Sequence, residues 1–244
     1  MQPTDVWLTI LFFAVAVLYA AVGHGGASGY LASMALLGMS QTMMRPTALV
    51  LNVVVATVAT WHFAKNGHFR AREFVPLIIP AAPMAFLGGA LHLTATVYRL
   101  LAGIVLLLSA ARILTTATRP ETQPRRAPLF LLIFCGAAIG LLAGLIGVGG
   151  GIFLTPLLLF TGWSPIHRAA GISAPFILVN SLAALAGLRM TTQALPHALP
   201  LWILVTLVGG ALGACSGSRN LPSAPLRRAL CAILLIAGVK LILV

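Results

Sequence analysis

Eight apolar runs, each 17 to 20 residues long, constrain this chain more than any other feature; they lie at 6–22, 46–63, 74–91, 98–116, 128–146, 169–188, 198–216 and 226–244. At about 1.5 Å of rise per residue, such a run crosses roughly 30 Å of hydrocarbon as a helix. Charged residues make up 7% of the chain, against about 25% in soluble domains. So few charges cannot cover a water-facing surface. The runs are too continuous for the alternating strands of a membrane barrel. An all-α polytopic membrane protein is predicted, with the lipid bilayer as its surroundings.

A net charge of +12 would point to nucleic acid in a soluble protein. Here the Lys and Arg residues stand mostly between the apolar runs, where they set membrane orientation, and no nucleic-acid partner is expected. The acidic residues Asp5, Glu73 and Glu121 avoid the middles of the runs. Cys135, Cys215 and Cys231 are isolated in apolar stretches and read as small packing residues. Without an HExxH motif, a cysteine pair or a carboxylate dyad, no catalytic residue, metal or cofactor is expected. The opening MQPTDVW lacks a basic signal-peptide region, so the first run reads as a retained helix.

The chain resembles itself. Gly23-His24-Gly25-Gly26 aligns with Gly147-Val148-Gly149-Gly150, Gly38 with Gly162 and Ser40 with Ser164, all at an offset of 124. Arg45 aligns with Arg168 one residue out of step, and Gly88-Gly89-Ala90-Leu91 with Gly209-Gly210-Ala211-Leu212. This shared order predicts a duplication: a first repeat at 1–117, a linker at 118–127 and a second repeat at 128–244. Two shorter runs, 27–38 and 150–162, give each repeat five segments. Counting them as separate crossings puts eleven basic residues on one side of the membrane and four on the other; merging each with its predecessor gives nine and six. The positive-inside rule favours ten segments. Five segments per half turn the second repeat over, as in many secondary transporters, with both termini outside and the linker in the cytoplasm.

The segments Gly23–Gly29 (GHGGASG) and Gly144–Gly151 (GLIGVGGG) carry the most functional information. Consecutive glycines weaken a helix and let the chain reverse. Irregular backbone at membrane depth survives only inside protein or beside a water-filled cavity. The short runs that follow are therefore expected to be half-helices that begin inside the membrane. Their first N–H groups lack intrahelical acceptors, and the helix dipole makes these ends partly positive. Two such ends would form an anion site from Gly23, His24, Gly25, Gly26, Ser28, Gly147, Gly149, Gly150 and Gly151. Close packing through small residues is the competing explanation.

The stretch 140–156, GLLAGLIGVGGGIFLTP, followed by Gly162 and Arg168-Ala169-Ala170-Gly171-Ile172-Ser173, resembles the TauE/SafE sulfite exporter family, also called the 4-toluene sulfonate uptake permease family. The first-half counterpart, GHGGASGYL at 23–31, is looser, with His24 and Ser28 in place of apolar residues. The resemblance implies a transporter of sulfite, sulfonates or related anions in a bacterial inner membrane, both termini then being periplasmic. It leaves the individual anion, the direction and the oligomeric state open, a homo-oligomer included.

Asn180, 12 residues beyond Arg168, is expected near the membrane midplane and level with the glycine turns, while Asn52 is expected shallower. Both amides, and the Ser173 hydroxyl, can replace water around an anion. His24 can donate to it or carry protons. Arg45 and Arg168 are expected in vestibules on opposite sides, and Trp7, Trp61, Trp163 and Trp202 in an aromatic belt. Two rival functions remain. Gly26-Ala27-Ser28-Gly29 has the GxSG form of rhomboid intramembrane proteases, with His62 or His92 as the base; the matching position in the second repeat is Ile152, which has no nucleophile. A membrane scaffold would use the glycines for packing alone.

Overall fold

The computed structural model describes residues 3–91, 93–115, 127–188, 195–217 and 224–243. These form ten α-helices: α1 (Pro3–Ala20), α2 (Ala27–Leu36), α3 (Gln41–Lys65), α4 (Ala71–Ala90), α5 (Ala95–Thr115), α6 (Leu129–Ile146), α7 (Gly151–Phe160), α8 (Ile166–Gly187), α9 (Leu199–Gly217) and α10 (Ala224–Leu243). Five of them, within α3, α4, α6, α8 and α9, are long and apolar enough to cross a membrane. No strand occurs among the described residues. Of the expected linker, 118–126 lies outside them, as does His92.

The two short helices are the half-helices expected from the glycine clusters, each 10 residues long, or about 15 Å. Their surroundings repeat in conformation as well as in sequence. Gly23 and Gly147, Gly26 and Gly150, and Gly38 and Gly162 all take positive φ, between 69° and 97°. Matched left-handed turns thus open and close both half-helices.

Much of the helix pairing repeats as well, although the α2–α10 contact has no α7–α5 counterpart of its size. Exchanging the first five helices with the last five turns the α1–α9 contact into α6–α4, α3–α9 into α8–α4, and α2–α3 into α7–α8; the α3–α8 and α5–α10 contacts map onto themselves. The paired contacts are close because small residues line them. A Cβ added at Gly136, Gly140 or Gly144 of α6 would land on the carbonyl oxygen of Leu77, Ala81 or Ala85 of α4. At the α1–α9 contact, Gly213 and Gly217 of α9 face the carbonyls of Val17 of α1 and of Ala21, just beyond it, in the same way. Hydrocarbon gives no solvophobic push between helices, so backbone-to-backbone approach supplies the dispersion contact instead.

Two expectations about element edges change. α3 begins at Gln41 and carries Pro46 in its second turn, rather than starting at 46. Trp202 is not part of an aromatic belt: it is fully buried, donates to Thr9 Oγ1 at 3.1 Å and meets Phe12 edge-on, whereas Trp7 and Trp61 are exposed.

Gly140→Val should destabilise the fold by about 1–3 kcal/mol, the usual range for overpacking. Thermal unfolding in detergent, with Leu141→Val as the control, measures this.

Candidate functional site

The two glycine breaks meet. The Gly25 and Gly149 backbones close on opposite ends of one side-chain amide, that of Asn52: a Cβ on Gly25 would strike its Oδ1 and a Cβ on Gly149 its Nδ2. Asn52 Oδ1 accepts from the Ala27 N–H at 3.3 Å, at the first residue of α2, and its Nδ2 donates to Ser181 Oγ at 2.9 Å. Asn52 is halfway along α3, and Ile177, which touches Gly149 and Gly151, is halfway along α8. The breaks therefore lie at mid-depth of the two helices that cross between them. Asn52 is more central than expected because α3 starts five residues earlier.

Gly26 and Gly150, in left-handed conformation, precede the two half-helices and have no side chain to cap them; at α2 Asn52 takes the first N–H instead. A narrow cavity, with room for little more than a water molecule, lies between the two ends. Tyr19, His24, Ser28, Val148, Gly151 and Ile177 are among the residues that line it. Ser28 Oγ shares a hydrogen bond of 2.7 Å with the Tyr19 hydroxyl. His24 reaches from the first repeat into the second: its Nε2 lies 3.1 Å from Gly151 O and 3.1 Å from Thr155 Oγ1. Thr155 Oγ1 in turn lies 2.7 Å from Ser173 Oγ.

Asn180 is fully buried, and among the described residues neither its Nδ2 nor its Oδ1 has a hydrogen-bond partner. It shares a helix face with Phe176 and Ile177, which touch Gly150 and Gly149. Such an unmet amide costs about 1–3 kcal/mol. Asn52 already has partners on both ends, so Asn180 is the better free donor and acceptor.

Arg45 is 8% exposed rather than on an open vestibule wall. Its side-chain stem packs on Gly147, and its guanidinium donates to the carbonyls of Gly88 (2.6 Å), Gly89 (3.0 Å), Leu91 (3.3 Å) and Gly144 (2.6 Å). It ties the carbonyl ends of α4 and α6 together, a cation at the negative ends of two helix dipoles. Tyr98 caps the last carbonyl of α6, Ile146 O, at 3.4 Å. Arg168 is half-buried elsewhere. It pairs with Glu73 at 3.7 Å, and Ser164 Oγ donates to the same carboxylate. Beside this pair the rings of His68 and His167 stack at 5.3 Å, joining the α3–α4 connection to the first turn of α8.

The structure thus brings together Gly23, His24, Gly25, Gly26, Ser28, Asn52, Gly147, Gly149, Gly150, Gly151 and Ser173, with Asn180 alongside and Arg168 apart. Sequence reasoning missed Thr155, Ser181 and Tyr19. Thr155 is the one polar side chain of α7, a signal that was available. His62 lies ten residues beyond Asn52 on α3, about 15 Å from the level of Ser28, which removes it as a base for that serine.

Long apolar helices around two broken helices that meet halfway define a polytopic membrane transporter. The chain belongs to the sulfite exporter TauE/SafE family, whose sequence pattern matches residues 8–241. It is 41% identical to a probable membrane transporter protein of Sinorhizobium fredii, over 99% of this chain and 100% of the relative. It is 25% identical to a probable membrane transporter protein of Methanocaldococcus jannaschii, over 73% of this chain and 70% of that one. No solved structure matches it.

Arg45→Lys keeps the charge but not the fork that spans two helix ends, and should cost about 1.5–3 kcal/mol in detergent unfolding. The His68 pKa is lowered, by burial first and by His167 second. The unfolded chain then binds the proton more readily, so stability should fall as pH drops below the ordinary His value of about 6.5. Thermal unfolding between pH 8 and 5 should show a smaller acid loss in His68→Gln than in the native chain.

Proposed function

We propose that this transporter moves a small organosulfur anion, sulfite or a sulfonate, by alternating access, and holds it between the first turns of α2 and α7. One observation carries the reading: two helix N-termini, each preceded by a left-handed glycine, converge halfway along α3 and α8, and the unpartnered Asn180 lies one turn along α8 from the side chains that touch Gly149 and Gly150. Each N-terminus behaves as roughly half a positive charge, and Arg45 adds a buried cation behind Gly147. The described acids, Asp5 and Glu73, stand in the first turns of α1 and α4, away from this point. The family description, sulfite exporter, agrees with such an anion.

The anion would shed part of its water and take backbone N–H groups and the Asn180 amide in exchange. The present cavity is too narrow for an oxyanion, so the site must widen as one repeat rocks against the other. The exchange symmetry of the helix contacts supports that motion and the inverted arrangement. The distribution of basic residues supports periplasmic termini and an inner-membrane location. For an anion that crosses alone, a negative-inside potential contributes about 2.3 kcal/mol per charge per 100 mV in the outward direction. A protease would need a base at Ser28, whose hydroxyl instead meets Tyr19; a scaffold would bind no anion saturably.

Asn180→Leu separates site from packing. Removing an unmet buried amide should leave the protein equal or up to about 3 kcal/mol more stable, while abolishing thermal stabilisation by sulfite, sulfoacetate or methanesulfonate. A less stable variant with an unchanged response to these anions would overturn the site.

A further inference from the structure

His24 carries two hydrogen-bond patterns that differ by one proton. Its Nδ1 lies 2.9 Å from Val22 O and its Nε2 3.1 Å from Gly151 O. Carbonyl oxygens only accept, so both contacts are hydrogen bonds only when both ring nitrogens carry hydrogen, that is, in the imidazolium. In the neutral ring with hydrogen on Nδ1, Nε2 must accept. Thr155 Oγ1, at 3.1 Å, can supply that hydrogen by turning its O–H away from Ser173 Oγ. Thr155 is thus a hydroxyl rotor that satisfies either state of the ring.

Position gives this pair of states a consequence. His24 lies in the first glycine break, lines the cavity and bonds to the first residue of α7. The titratable and charged groups around it are few. Tyr19 of α1 meets the ring edge-on at 6.3 Å; Tyr30 of α2 stands behind Gly26 and Arg45 of α3 behind Gly147. α7 brings Thr155, and α8 brings Ser173, its Arg168 being held by Glu73. Protonation therefore adds one positive charge directly at the anion's place, where a low dielectric makes it count.

Resting on the anion site proposed above, we infer that His24 is the proton-binding group of this transporter and that the anion is carried together with a proton. His24 Nε2 takes the proton from water on the side where the anion enters and returns it to water on the other side; only an N–H bond forms and breaks. A singly charged sulfonate then crosses without net charge. Its distribution follows the pH gradient instead of the membrane potential.

The test uses the full chain in liposomes with methanesulfonate, which stays ionised between pH 5 and 8. A gradient of one pH unit should drive accumulation on the alkaline side toward about tenfold, by the linkage of one proton to one anion. His24→Gln should lose that pH-driven accumulation, leaving the anion at about onefold across the membrane. Because that variant could fold poorly, nitrogen-15 histidine spectra of the native protein give a second readout: the His24 ring should pass from neutral to imidazolium within the same pH range. Flux indifferent to the pH gradient, equal accumulation in His24→Gln, or a ring fixed in one state would overturn the proton site while leaving the anion site standing. Absence of both methanesulfonate and sulfite flux would remove the anion site and this inference with it.

Discussion

A peptide group inside hydrocarbon has no water to bond with, and interrupting a helix there is tolerated only when other protein groups surround the gap. This protein makes two interruptions and sets them against each other. The Asn52 amide stands between the two, bonded to the first residue of α2 and, through Ser181, to α8. Glycine is required at Gly25 and Gly149 because any side chain would occupy the place of that amide. In the proposed anion site, the remaining N–H groups of the two helix N-termini supply the sign.

The same economy of partners governs the other end of the broken pair. α6 stops at Ile146 with a left-handed Gly147, and the free carbonyls there and at the end of α4 need donors. Arg45 and Tyr98 supply them. A guanidinium suits this task because its fork reaches two helix ends at once. Its charge compensates the negative ends of α4 and α6 and also lies behind the second break. A group that reads in sequence as a flanking charge is therefore a brace on which the geometry of the site depends.

Much of this was legible in advance. The ten helical segments, two of them short, followed from run length and from the glycine clusters, and Gly23 and Gly147, Gly26 and Gly150, which align at a constant offset, share a positive φ in the backbone. The depth of Asn52 was misjudged because α3 continues through Pro46, which a hydropathy reading takes as a boundary. Trp202 was misjudged because its indole finds Thr9, 193 residues earlier, and a buried acceptor cannot be seen from composition.

By itself the sequence determined where helices form and where they break, since hydropathy and glycine conformation act over a few neighbouring residues. Only the tertiary structure decided which polar groups are neighbours. His24 meets Thr155 across 131 positions, Asn52 meets Ser181 across 129, and Arg45 meets Gly144 across 99. Those pairings arise from helices closing on glycine faces, and no local feature of the chain encodes which faces will close.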